Sequence, residues 1–144
     1  MAGEPGNHSS AIKELLASFD RAASLRDWIE LRALVAADAV VADSRVLGLG
    51  TIGRDRWIQS LQFRAELVSD AALSVVRVLA SSGHGQLRMM TIVGHFPDGS
   101  AFDNPFLAVM QCRDGQILRL EFFESSDEER ARERFTELCQ PVRP

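Results

Sequence analysis

Residues 86–124 read QLRMMTIVGHFPDGSAFDNPFLAVMQCRDGQILRLEFFE, and this stretch decides the fold. β-Branched and apolar residues dominate it, and turn chemistry interrupts it twice. Pro97-Asp98-Gly99 combines a fixed φ with a residue free to take positive φ. Asp114-Gly115 is a pair that two-residue hairpin loops favour. Strands are therefore expected at Gln86–Phe96, Ala101–Cys112 and Gln116–Glu124. Leu73–Ala80 has the same character and is separated from Gln86 by SSGHG, which makes four strands in succession. Strands joined by tight turns pair antiparallel.

Upstream the period changes from two to that of a helix. Ile12, Leu15, Leu16, Phe19 and Ala23 follow the i, i+3, i+4, i+7 spacing and predict a helix over Ser10–Ala23. Ser24 with Asp27 resembles a capping box for a second helix, whose stripe is Trp28, Leu31, Leu34 and Val35. A short strand is expected at Ala39–Arg45. A loop punctuated by Gly48, Gly50 and Gly53 follows, then a helix over Arg54–Leu67 carrying Trp57, Ile58, Leu61 and Ala65. After the last strand, SSDEE opens a closing helix with acids at its positive end, and Ala131, Phe135 and Leu138 form its stripe. Consecutive strands with segregated helices define an α+β class. Helices packed on one face of a strongly bent antiparallel sheet enclose a pocket. The domain expected is a single one over 10–140, after a flexible tail over 1–9.

The bulk numbers exclude several roles. The chain has 144 residues, is 46% hydrophobic and 25% charged, and carries a formal charge of −4. That charge argues against a nucleic-acid binder, which needs a basic surface. No apolar run approaches the ~20 residues of a membrane span. MAGEPGNHSS lacks the basic and apolar regions of a secretory signal, so a cytoplasmic protein is expected. Cys112 and Cys139 lie far apart without a CxxC motif and read as structural thiols. His8, His84 and His95 are scattered, so neither a metal site nor any other cofactor is expected.

Two further stretches carry a family likeness. LVAADAVVADSR (34–45) and DGQILRLEFFESSDEERARERF (114–135), in this order of elements, resemble the nuclear transport factor 2-like superfamily, which includes ketosteroid isomerases and SnoaL-like polyketide cyclases. The wording of SRVLGLGTIGRDRWIQSL (44–61) is similar to SnoaL-like domains. The resemblance spans about Ser10 to Leu138 and implies a cone-shaped fold around a ligand pocket. In ketosteroid isomerases the acid of the first strand is the general base, and Asp43 falls on that position. Their oxyanion hole needs a tyrosine and a protonated aspartate, and the matching positions are Phe19 and Ala108, neither of which donates a hydrogen bond. The sequence has no tyrosine at all. Losing one such donor costs about 10²–10³ in rate, so the isomerase's usual means are absent.

The candidate chemistry begins with Asp43 and Arg45, which share one face if the strand extends through both. They are either a surface ion pair or an acid and an arginine on the pocket wall. Glu124, at the end of the last strand, is either a proton donor or part of the closing helix's N-terminus. His95 is either an exposed side chain or a neutral-pH acid–base group. Asn104, Phe106 and Met110 share one strand face, and Leu120 and Phe122 share another. With Phe19 and Trp57, these residues are expected to shape the cavity or simply to fill a core. Leu107, Val109 and Phe123 fall on the sheet's opposite face, which predicts an exposed apolar patch and a homodimer. The function these readings imply is cofactor-free acid–base chemistry (cyclisation, isomerisation or hydration) on an apolar, ring-bearing or polyketide-like small molecule. The alternative is a non-catalytic ligand-binding domain.

Overall fold

The computed structural model describes residues 5–46 and 48–140. In chain order the elements are α1 (Pro5–Leu25), α2 (Trp28–Leu34), β1 (Val35–Asp43), β2 (Gly50–Gly53), α3 (Arg54–Leu67), β3 (Ala72–Ser82), β4 (Gly85–His95), β5 (Ala101–Arg113), β6 (Gln116–Glu124) and α4 (Glu128–Cys139). α3 and β6 keep the boundaries expected from periodicity. α1 begins at Pro5 rather than Ser10, so the helix takes in residues 5–9, while residues 1–4 lie outside the described ones. Asp27 is itself the N-cap of α2, its carboxylate accepting the Glu30 N–H, so the cap lies three residues later than Ser24. Arg26 at φ 56° makes the break between α1 and α2. Its guanidinium donates to the carbonyls of Ser69 and Ala71, tying that corner to the α3–β3 connection.

The strands form one six-stranded sheet in the order β2-β1-β6-β5-β4-β3. The four consecutive strands are antiparallel as expected, and Asp114 (φ 53°) with Gly115 (φ 76°) makes the tight turn between β5 and β6. β1, however, lies parallel to β6. The two are far apart in sequence, and only strands joined by a hairpin are obliged to run antiparallel. β2 was expected as loop. It holds two glycines in four residues, a composition that strand propensity disfavours, yet it pairs with β1 along its whole length. Register shifts mark irregularities with an extra residue in β3, opposite β4, and in β6 at Leu118, opposite the end of β5.

Both faces of the sheet are covered. On one, α1, α2 and α3 pack Leu16, Phe19, Leu31 and Trp57 against Met90, Met110 and Leu120. On the other, α4 lays Ala131, Phe135 and Cys139 on Leu87, Leu107, Val109 and Phe123. The apolar patch expected at Leu107, Val109 and Phe123 is therefore covered by α4 within the chain rather than exposed. Glu121, buried on this same face, accepts hydrogen bonds from Arg119 and from Arg134 of α4, the latter at 2.7 Å through both Nε and Nη2. Under α1, the buried Arg88 is held by Asp20 (2.7 and 2.9 Å) and by Gln86 (3.0 Å). That pair pins α1 to β4. Breaking it strands a buried charge, which typically costs about 3–5 kcal/mol. Among the described residues, no helix is long and apolar enough to cross a membrane.

Candidate functional site

A cavity of about 100 Å³ opens between α1–α3 and the sheet. Its aromatic wall is continuous. Phe19 stacks parallel to Trp57 at 6.2 Å, Trp57 meets Phe122 at 6.3 Å, and Phe106 sets its edge on Phe122 at 5.6 Å. Met110 and Leu120 complete that side. Six apolar positions singled out in the sequence are thus brought together on one surface.

Asp43 is the last residue of β1, flanked by Gly50 of β2 and Phe122 of β6. The strand stops there, so strand alternation is not what brings Arg45 beside it. The Asp43 carboxylate accepts the backbone N–H of Arg45 (3.2 Å), a local turn in which the side chain competes with the ladder. The Arg45 side chain then folds back, with Nε 2.8 Å from Oδ1 and Nη2 2.6 Å from Oδ2. Its guanidinium carbon lies 4.7 Å from the centre of the Phe106 ring and 5.3 Å from that of Phe122. A cation over aromatic faces is favoured by the ring quadrupole. Asp43 is 8% exposed, so this is not a surface ion pair.

Two forces act on the Asp43 carboxyl. Burial pushes its pKa up, but the hydrogen bonds and charge of Arg45, with a backbone N–H from Leu49, hold it below the usual 3.8. Asp43 is therefore ionised at neutral pH. Gly48 explains the loop's composition. A Cβ at that position would sit 2.4 Å from Asp43 Oδ1, so the chain can fold over the carboxylate only without one. The buried thiols take no part. Burial pushes both Cys112 and Cys139 up to about 12.

Three expected site residues fall outside the cavity. Asn104 is exposed, because residues 101–105 of β5 pair with β4 beyond the point, Phe106↔Glu124, where β6 ends. Glu124 is half-buried at that same end and does not line the cavity. His95 is exposed at the end of β4, where Nδ1 lies 2.6 Å from Asp70 and ties the α3–β3 connection to the sheet. Two charged residues that the sequence reading passed over also line it, Arg26 and Arg64. Arg64 had a usable signal, since it stands seven residues after Trp57 and three after Leu61, on the same helical face.

This architecture has known counterparts. IdmH from Streptomyces antibioticus, a candidate polyketide cyclase, superposes with a TM-score of 0.70 at 21% identity, over 79% of this chain and 91% of that one. The fold is that of polyketide-cyclase-like and ketosteroid-isomerase-like proteins. A protein from Catenulispora acidiphila with a ketosteroid isomerase-like fold, solved with trimethylamine, gives 0.62 at 17% identity over 78% and 85% of the two chains. TerC, co-crystallised with polyporic acid, gives 0.66 at 16% identity over 89% and 97%. No family model matches the sequence, and no curated protein matches it. The α+β fold with its pocket agrees with the SnoaL-like resemblance read from residues 34–45 and 114–135. Identities this low establish the fold and leave the chemistry to the site.

Proposed function

We propose that the chain binds an apolar, ring-bearing organic molecule in this cavity and acts on it by cofactor-free proton transfer, with Asp43 as base and Arg45 as its electrostatic partner. The observation that carries the reading is a buried, ionised carboxylate held by an arginine on the wall of an otherwise aromatic cavity. The neighbours named for polyketide cyclisation, and the co-crystallisation of TerC with polyporic acid, support a small organic ligand. At about 100 Å³ the cavity is smaller than the roughly 150 Å³ void that takes a benzene ring, so the ligand enters it in part and the remainder lies in the mouth.

In the step proposed, a ligand carbonyl oxygen takes over the hydrogen bond from Arg45 Nη2. That exchange frees Asp43 Oδ2 beside the acidic C–H next to the carbonyl. The C–H bond breaks, an O–H bond forms at Oδ2, and the electron pair moves to the carbonyl oxygen, where Arg45 stabilises it. Returning the proton to another carbon isomerises the ligand; attack of the enolate carbon on a second carbonyl closes a ring, and the new alkoxide takes the proton back from Oδ2.

The second reading, binding without chemistry, is favoured by one observation. Arg45 holds both oxygens of Asp43, and among the described residues no other carboxylate, and no histidine, lines the cavity. 2-Tetralone separates the readings. Deuterium exchange at its acidic carbon is followed by NMR, and binding by Trp57 and Trp28 fluorescence. Catalysis predicts exchange above buffer that falls about 100-fold or more in Asp43→Asn while binding survives. Binding with no exchange overturns catalysis in favour of the second reading, and absence of binding overturns both.

A further inference from the structure

Among the described residues, nearly every arginine that is not exposed has a partner. Arg88 is held by Asp20, Arg119 and Arg134 by Glu121, Arg54 by Asp55, and Arg45 by Asp43, while Arg26 donates to backbone carbonyls. The other described arginines without such partners are exposed to water. Arg64 is different. Among the described residues it is the one arginine that is not exposed and has neither a hydrogen-bonded acceptor nor a carboxylate for its side chain, and it lines the cavity.

The charge balance of the cavity wall points the same way. Arg26, Arg45 and Arg64 face a single carboxylate, Asp43, and that one is already committed to Arg45. Glu66, two residues on in α3 and so on another side of the helix, lines the adjoining groove beside Arg26 rather than the cavity itself. Burial and the charge of Arg45 both weaken the protonated form of Arg64, against the pull of Asp43, so it carries its charge at a cost that the wall does not relieve. A guanidinium offers a fork of donors that matches a carboxylate or an ionised enol.

We infer that the ligand carries an anionic group, a carboxylate or an ionised phenol or enol, and that Arg64 is the residue that takes it. This deepens the reading of the cavity as a ligand site and rests on it. The anion on Arg64 would direct one end of the ligand, leaving the ring on Trp57 and Phe122 and the reacting carbonyl at Asp43 and Arg45. A polarised orientation of that kind is what an apolar cavity alone does not impose.

The test uses two probes of one shape, 2-naphthoate and its neutral analogue 2-naphthamide, with affinities measured by calorimetry on the full chain. Wild-type protein is expected to bind the naphthoate at least ten-fold more tightly. Arg64→Gln is expected to erase that preference, lowering naphthoate affinity at least ten-fold more than naphthamide affinity, and Arg64→Lys to keep part of it. Equal affinities in the wild type, or a preference that survives Arg64→Gln, overturn the assignment while the cavity reading stands. If Arg64→Gln does not fold, the wild-type preference and its reduction in Arg64→Lys decide, and an unreduced preference overturns the assignment. If neither probe binds wild-type protein, the cavity reading falls and the anion assignment falls with it.

Discussion

Asp43 and Glu121 are near neighbours across the parallel pair β1 and β6, where Ala42 lies opposite Glu121 and Asp43 opposite Phe122. They point to opposite faces of the sheet. Both are buried, at 8% and 4% exposure, and both are gripped by arginines. In each, burial raises the carboxyl's pKa and the arginine contacts more than reverse it, leaving the value lowered. By local chemistry the two are twins. What separates them is the space beyond the carboxylate. Glu121 meets α4, whose Arg134 closes over it, and the pair fastens helix to sheet. Asp43 looks into a cavity that α1–α3 do not fill. The same ion pair is a rivet where packing is complete and a candidate site where packing stops short.

That contrast can be broken by substitution. The largest effect is expected from Asp43→Asn. Exchange of 2-tetralone should fall about 100-fold or more, while the urea unfolding midpoint shifts by no more than about 1 kcal/mol equivalent, because Arg45 retains its aromatic contacts and some exposure to water. Glu121→Gln should do the reverse. Stability should drop by about 2 kcal/mol, since charge-assisted hydrogen bonds to both arginines are weakened, and the exchange rate should stay within about two-fold. If both substitutions change both readouts equally, the distinction between rivet and site is wrong.

Gly48→Ala sharpens the comparison from the Asp43 side alone. Its Cβ must displace the carboxylate or the loop, so exchange should fall about ten-fold, by analogy with the cost of misplacing a reacting group. Thermal stability should change little, because the loop carries little of the core. A midpoint drop comparable to that of Glu121→Gln would show that the loop over Asp43 is structural as well.

The smallest expected effect is that of mild acid. A carboxyl whose folded-state pKa lies below its unfolded value contributes stability that is fully present above the unfolded value and lost as pH falls through the folded one. For Asp43 and Glu121 the unfolded values are near 3.8 and 4.5, so both contributions persist to about pH 4.5 and fade below it. Unfolding titrations should be nearly flat from neutrality to that point and steepen beneath it, and Glu121→Gln should lessen the steepening. The acid limb of the exchange rate should fall below the usual carboxylate range. A limb near pH 6 would mean that some group other than Asp43 supplies the base.

Much of this was legible in the chain itself, and the reason lies in locality. Helix periods, the Asp-Gly turn and the limits of α3 and β6 depend on residues a few positions apart, and they stand as read. So does the apolar cast of Phe19, Trp57, Phe106, Met110, Leu120 and Phe122. Other features required contacts across the whole chain. Whether Leu107, Val109 and Phe123 are bare or covered depends on where α4 lands, and α4 lands on them. Whether β1 is parallel to β6 depends on how the chain returns after β5. Asn104, Glu124 and His95 missed the cavity because strand ends overlap unequally, and a face read from alternation does not say how far along the strand the pocket extends. The sequence by itself determined the four helices, five of the six strands, their order and an acid with an arginine beside it. Only the tertiary structure decided that this acid borders empty space, that its twin does not, and that Arg64 stands on the cavity wall without a carboxylate, because voids and unbalanced charges belong to the packing of distant segments rather than to any one of them.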